Sequence, residues 1–85
     1  MRLDKFLKVS RIIKRRTVAG EACDKQRVSV NGNVAKAGKD IKVGDVIEIR
    51  FGGSTLKARV LKITETARKE EADSMYEVLE ETRNG

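Results

Sequence analysis

The chain has 85 residues, 39% hydrophobic and 38% charged, with a formal net charge of +6. A chain this short makes one domain and buries roughly 60–65% of its unfolded surface, which leaves no room for a catalytic domain beside a binding one. Its composition is too apolar for a disordered tail; one cysteine and no histidine exclude an internal disulfide and an ordinary zinc site; and no stretch approaches the roughly 20 apolar residues of a membrane span.

Leu3, Phe6 and Leu7 recur at helical spacing while Arg2, Lys5 and Lys8 fall mostly elsewhere, which predicts a short helix over residues 3–9. A second apolar stripe, Val18, Ala19, Ala22 and Cys23, predicts a helix from about Arg16 to Lys25, with Thr17 expected to help cap its start. Arg15 and Arg16 then stand at the helix N-terminus, where free N–H groups and the macrodipole already attract anions. Cations at that end do nothing for the helix, so a phosphate-bearing ligand explains the pair better than a structural role does. Past Lys25 the period changes to two. Val28-Ser29-Val30 and Asn33-Val34-Ala35-Lys36 flank Asn31-Gly32, a pair suited to the positive φ angles of a type I′ turn, so a tight hairpin is expected. Gly38 and Gly44-Asp45 precede a strand over Val46 to Phe51, and Gly52-Gly53 turns the chain into a further strand from about Thr55 to Ile63. The acidic tail from Ala67 to Thr82 sets Ala72, Met75, Tyr76 and Leu79 on one stripe, which predicts a C-terminal helix.

The charge is concentrated in one place. Residues 1–50 hold 13 Lys/Arg against 6 Asp/Glu, residues 51–85 hold 6 against 7, and in residues 1–16 seven cations face Asp4 alone. Such a patch is aimed at an anionic partner. Arg16 is the first choice for a phosphate or base-edge contact, because a guanidinium forks to phosphate oxygens and also stacks on bases. An ion pair to Asp4 would hold that arginine in a presenting rotamer. Arg2 and Lys5 flank the apolar helix face, while Arg11, Lys14 and Arg15, between the helices, suit backbone phosphates that position more than they specify. Cys23 reads as a small buried hydrophobe, and Tyr76, beside Met75 and Leu79, as a packing residue. No catalytic residue stands out: there is no histidine to activate a nucleophile and no Gly-rich phosphate loop, and the Glu70-Glu71 and Glu80-Glu81 pairs read as solvated charges. No enzyme, metal or cofactor is expected.

Arg2-Leu3-Asp4-Lys5-Phe6-Leu7, Arg16-Thr17-Val18-Ala19, Val28-Ser29-Val30-Asn31-Gly32, Lys36, Gly44-Asp45 and Ile47, in that order, resemble the S-four-type RNA-binding domain, the domain of small-subunit ribosomal protein four. The match covers about residues 1–51. The resemblance implies an α+β fold in which two N-terminal helices pack on a small twisted, mostly antiparallel sheet, with the basic helical face and the hairpin gripping structured RNA. It brings the hairpin tip, Asn31 with Gly32 in support, and Lys36 into the expected RNA-binding set of Arg2, Lys5, Arg11, Lys14, Arg15 and Arg16, with Asp4 and Thr17 also supporting. Two departures stand out: Arg15 replaces a frequent Ser, and Gln26 replaces the Gly that often ends the second helix.

The opening "MRLDKFLKVSRIIKRRT", the "KARV" region and the tail "KEEADSMYEVLEE" further resemble the free-standing S-four proteins of bacterial ribosome-associated quality control. That likeness implies a cytoplasmic factor, expected to be a monomer, that binds the large ribosomal subunit through rRNA and peptidyl-tRNA. It shares that subunit with RqcH, which recruits alanyl-tRNA for alanine tailing of stalled chains, and it needs no membrane. The expected organisation is a single domain over residues 1–85, with an RNA-binding core at 1–51 and an added strand and acidic C-terminal helix at 52–85. A ribosome-binding heat-shock relative of the same fold, and a protein-interaction module using the acidic C-terminal helix, are the alternatives.

Overall fold

The computed structural model describes residues 1–83. Helix α1 spans Leu3–Val9 and α2 spans Arg16–Asp24. Strands β1 (Val28–Val30) and β2 (Asn33–Val34) form the hairpin, with positive φ at both Asn31 (51°) and Gly32 (87°) as a type I′ turn requires. Strands β3 (Val46–Phe51) and β4 (Ser54–Val60) follow, then a single-turn helix α3 (Lys69–Ala72), a 3-10 turn (Asp73–Met75) and strand β5 (Tyr76–Arg83). The fold is α+β: one antiparallel sheet in the order β2-β1-β3-β4-β5 with α1 and α2 against it. No helix among the described residues is long and apolar enough to cross a membrane.

Alternation builds the core. Val28, Val30, Ile47, Ile49 and Val60 point from one face of the sheet onto Leu3, Phe6 and Leu7 of α1 and Ala19 and Cys23 of α2. Burial pushes the Cys23 thiol up to about 11, as suits a packing cysteine.

Both helices end on a left-handed residue that is not glycine, Arg11 (φ 63°) after α1 and Gln26 (φ 59°) after α2. At the end of α2 the Arg27 N–H reaches the Ala22 carbonyl and the Gln26 N–H reaches that of Cys23, both at 2.9 Å. This is the Schellman pattern, completed without the usual glycine.

Three expectations are corrected. Thr17 does not cap α2: the residue before the helix is Arg15, extended at φ −118°, and no side chain bonds the first turn, so Thr17 lies one residue inside it. Strand β4 stops at Val60 rather than Ile63. The long C-terminal helix is replaced by one turn of α3 and then by β5. A helix through this tail would stack Glu77 on Glu81 at i, i+4, like on like. In the sheet, Arg59 faces Glu77, Lys57 faces Glu80, Ala58 faces Val78 and Val60 faces Tyr76, so opposite charges and apolar residues meet across the ladder. The register shifts between Lys57 and Ala58 to accommodate a bulge. Met75 is fully buried and Tyr76 packs against the core cluster.

Candidate nucleic-acid interface

Asp4 organises the first turn of α1. The residue is 7% exposed, and its carboxylate accepts hydrogen bonds from Arg2 Nε (3.2 Å) and Nη2 (3.3 Å) and from the Lys5 backbone N–H (2.8 Å), and lies 3.4 Å from Arg16 Nε. Burial raises the proton affinity of this carboxyl, but the hydrogen bonds from Arg2, Lys5 and Arg16, together with the Arg16 charge, outweigh it and hold the group below the usual carboxylate value. Both arginines are bound on one edge only; their side chains stay 58% and 49% exposed. One buried anion therefore points two guanidinium groups outward and spares them the rotamer freedom that a free arginine loses on binding. Arg15 precedes α2 and Arg16 begins it, beside a first turn that no side chain caps. Positive side chains and the free N–H groups of that turn add to one anion-attracting field.

A second basic group lies at the other end of α1. Lys8, Arg11 and Lys14 line a concavity closed by Glu65, Thr66 and Ala67. Arg11 enters it from its left-handed position, a conformation that costs an L-residue about 1–2 kcal/mol. Lys5 ion-pairs with Glu65, and the lysine holds that carboxyl below its ordinary value.

The loop after β2 closes on the same helix. The Leu3 and Asp4 N–H groups donate to the carbonyls of Lys39 (2.8 Å) and Ala37 (3.1 Å), so backbone from residues 37–39 caps α1 where no side chain does. Gly38 sits at the Arg2 guanidinium, where an added Cβ would lie 4.0 Å from its carbon. Exposed Lys36 and Lys39 are thereby carried to the Arg2 end of the patch.

Of the residues singled out from the sequence, the fold brings Arg2, Asp4, Arg15 and Arg16 together, gathers Arg11 with Lys14, and delivers Lys36 through its loop. Lys5 is the one spent on a carboxylate of another loop. Asn31 is committed within the fold: its amide donates to Asp45 Oδ1 (3.1 Å) and accepts from the Val46 N–H (2.9 Å), which fixes the hairpin tip to the start of β3 beside Gly32. Sequence reasoning passed over Lys8 and Lys39. Lys8 falls one turn from Arg11 and was visible as a cation of α1; Lys39 becomes relevant only when its loop caps that helix.

Residues 1–47 match the S4 domain family. A Streptococcus pneumoniae protein named RQC P-site tRNA stabilizing factor is 58% identical over 83 residues, covering 98% of this chain and 94% of its own. A Bacillus subtilis protein of the same name is 53% identical over 85 residues, covering 100% of this chain and 99% of its own. The trimeric structure of Vibrio cholerae heat shock protein 15 superposes with a TM-score of 0.85 at 32% identity, covering 92% of this chain and 80% of that one.

Proposed function

The chain belongs to the S4 domain family, and from that membership, with relatives named RQC P-site tRNA stabilizing factor along its whole length, we propose that it steadies a P-site tRNA on the large ribosomal subunit during ribosome-associated quality control. Binding is the whole mechanism, and no chemistry is catalysed. The protein works as a cytoplasmic monomer. It grips large-subunit rRNA and peptidyl-tRNA, and so supports the alanine tailing that RqcH carries out on the same subunit.

The observation that carries this reading is the Asp4 clamp. A buried carboxylate holding two half-exposed arginines is an expensive way to decorate a surface and an effective way to pre-orient two phosphate ligands. Arg2 and Arg16 take phosphate or base edges, while Arg11, Lys14 and Arg15 follow the backbone between the helices. Lys36 extends the contact along the loop beside Arg2, Lys5 joins when RNA displaces Glu65, and Asn31 with Gly32 hold the hairpin tip in place. Structured RNA is read by such a surface through shape and phosphate spacing.

The test is crosslinking in cells followed by sequencing of the attached RNA, native protein against Arg16→Ala. Reads on large-subunit rRNA and tRNA that vanish in the variant are expected; diffuse reads in both would overturn the reading. In vitro, loss of one phosphate contact lowers the salt slope of binding by about one unit. The likeness to heat shock protein 15 favours a second reading, a factor for large subunits with trapped nascent chains. Deleting the protein separates the two, since only the first predicts loss of alanine tails.

A further inference from the structure

The apolar face of the sheet outruns its helical cover at one corner. Strand β3 buries Ile47 and Ile49 almost completely, and Phe51 follows them at the same parity yet keeps 41% of its surface exposed. Phe6 is fully buried and Tyr76 half-buried, so Phe51 is the one aromatic ring that the described residues leave open to solvent. It stands at the end of a groove between α2 and β3, where Val18, itself 46% exposed, forms part of the floor. The rim carries Lys25, Arg27 and Arg50 against one carboxylate, Glu21.

One of these cations is fixed by the fold, and its strand is tied to the residue that carries a second. The Arg50 guanidinium donates to the Gln26 carbonyl oxygen at 2.9 Å, and the Arg50 N–H donates to the Arg27 carbonyl oxygen at 2.8 Å. A Cβ placed on neighbouring Gly52 would meet nothing within 4 Å. The ring thus has an open approach and guanidinium groups beside it. An apolar peptide would use the ring and leave three cations unanswered; an acidic peptide would do the reverse. An unpaired nucleotide uses both, because its base stacks on an aromatic face and its phosphates meet the arginines.

We propose that this groove is a second RNA subsite, which takes one unpaired nucleotide with its base stacked on Phe51 and its phosphate held by Arg27 and Arg50. The proposal rests on the RNA-binding reading above, and α2 joins the two places: Arg15 and Arg16 stand at its start and Lys25 at its end. A strand laid along that helix, about 14 Å for nine residues, touches both.

Because the chain has no tryptophan, Phe51→Trp in the full-length protein supplies a single fluorescent reporter at the groove. On titration with a short single-stranded RNA of mixed sequence, its emission is expected to be quenched by stacking while affinity is retained. Phe51→Leu, which keeps an apolar side chain but removes the ring, is expected to weaken binding by about 5- to 150-fold, the value of one base–aromatic stack. Matched thermal melts establish that the exposed substitutions leave the fold intact. An unquenched tryptophan on a bound complex, or Phe51→Leu binding as tightly as the native protein, overturns the subsite. Arg16→Ala, measured alongside, separates the two levels. If it weakens binding while the Phe51 variants do nothing, or if the native protein binds isolated large ribosomal subunits but not the single strand, only the subsite fails; if the native protein binds neither, the subsite and the wider reading fail together.

Discussion

The α1–α2 pair and the β4–β5 ladder are both dense in charge and use it in opposite ways. In the β4–β5 ladder, Lys57 faces Glu80 and Arg59 faces Glu77, with Arg59 Nη1 4.0 Å from the Glu77 carboxylate, so its charge is consumed in choosing strand over helix. In the helical pair, seven cations of residues 1–16 share Asp4 and the more distant Glu65, and the excess is directed outward. Surface charge therefore says little until its partners are known: paired across a strand it specifies structure, and gathered on one buried anion it is held facing solvent.

The sharpest way to break this comparison is Asp4→Asn. It makes the chain more positive, yet RNA affinity should fall by about tenfold, because two arginines lose their orientation. Stability should fall with it by about 1–3 kcal/mol. Tighter RNA binding by the variant would show that net charge, rather than the clamp, is what matters. Acid probes the same group without mutation. The folded Asp4 carboxyl titrates below its unfolded value, so its contribution is complete above about pH 4 and is lost as pH falls through the folded value. Chemical denaturation followed from pH 7 down to 3 should show a plateau and then a decline.

The two left-handed helix ends give the next test. Gln26→Gly should stabilise the protein by about 0.5–1 kcal/mol, a rise in melting temperature of about 3–6 °C, with RNA affinity unchanged. Arg11→Gly should stabilise by a similar amount but lower the salt slope by about one unit. If both glycine variants leave RNA binding alone, the concavity around Arg11 is not part of the interface. The smallest effect is expected in the β4–β5 ladder. A double-mutant cycle on Arg59 and Glu77 should give a coupling below about 1 kcal/mol, with RNA affinity within twofold of native throughout.

Where interactions are local, the sequence was readable. Leu3, Phe6 and Leu7 announce α1, and Asn31-Gly32 announces a turn whose geometry depends on those two residues alone. The Asp4–Arg16 pair was also within reach, since both residues belong to one cluster of cations around one carboxylate. The tail was misread because Ala72, Met75, Tyr76 and Leu79 satisfy a helical period, while the groups that decide for β5, Lys57 and Arg59, lie about 20 residues upstream. The capping of α1 by residues 37–39 escaped for the same reason: backbone carbonyls carry no signature in the side-chain pattern. Phe51 looked like one more apolar residue of an alternating strand, and only the position of α2 shows that its cover ends one residue too soon.

The strand order β2-β1-β3-β4-β5 also bears on how the molecule comes into being. Every ladder is antiparallel, and each new strand adds beside one already formed: the chain crosses over β1 once, between β2 and β3, and from β3 the sheet can zip outward through β4 to β5. The chain contains no proline, so no prolyl isomerisation delays it. Assembly of this kind belongs to the millisecond range, which for a newly made chain of 85 residues is short beside the time taken to synthesise it.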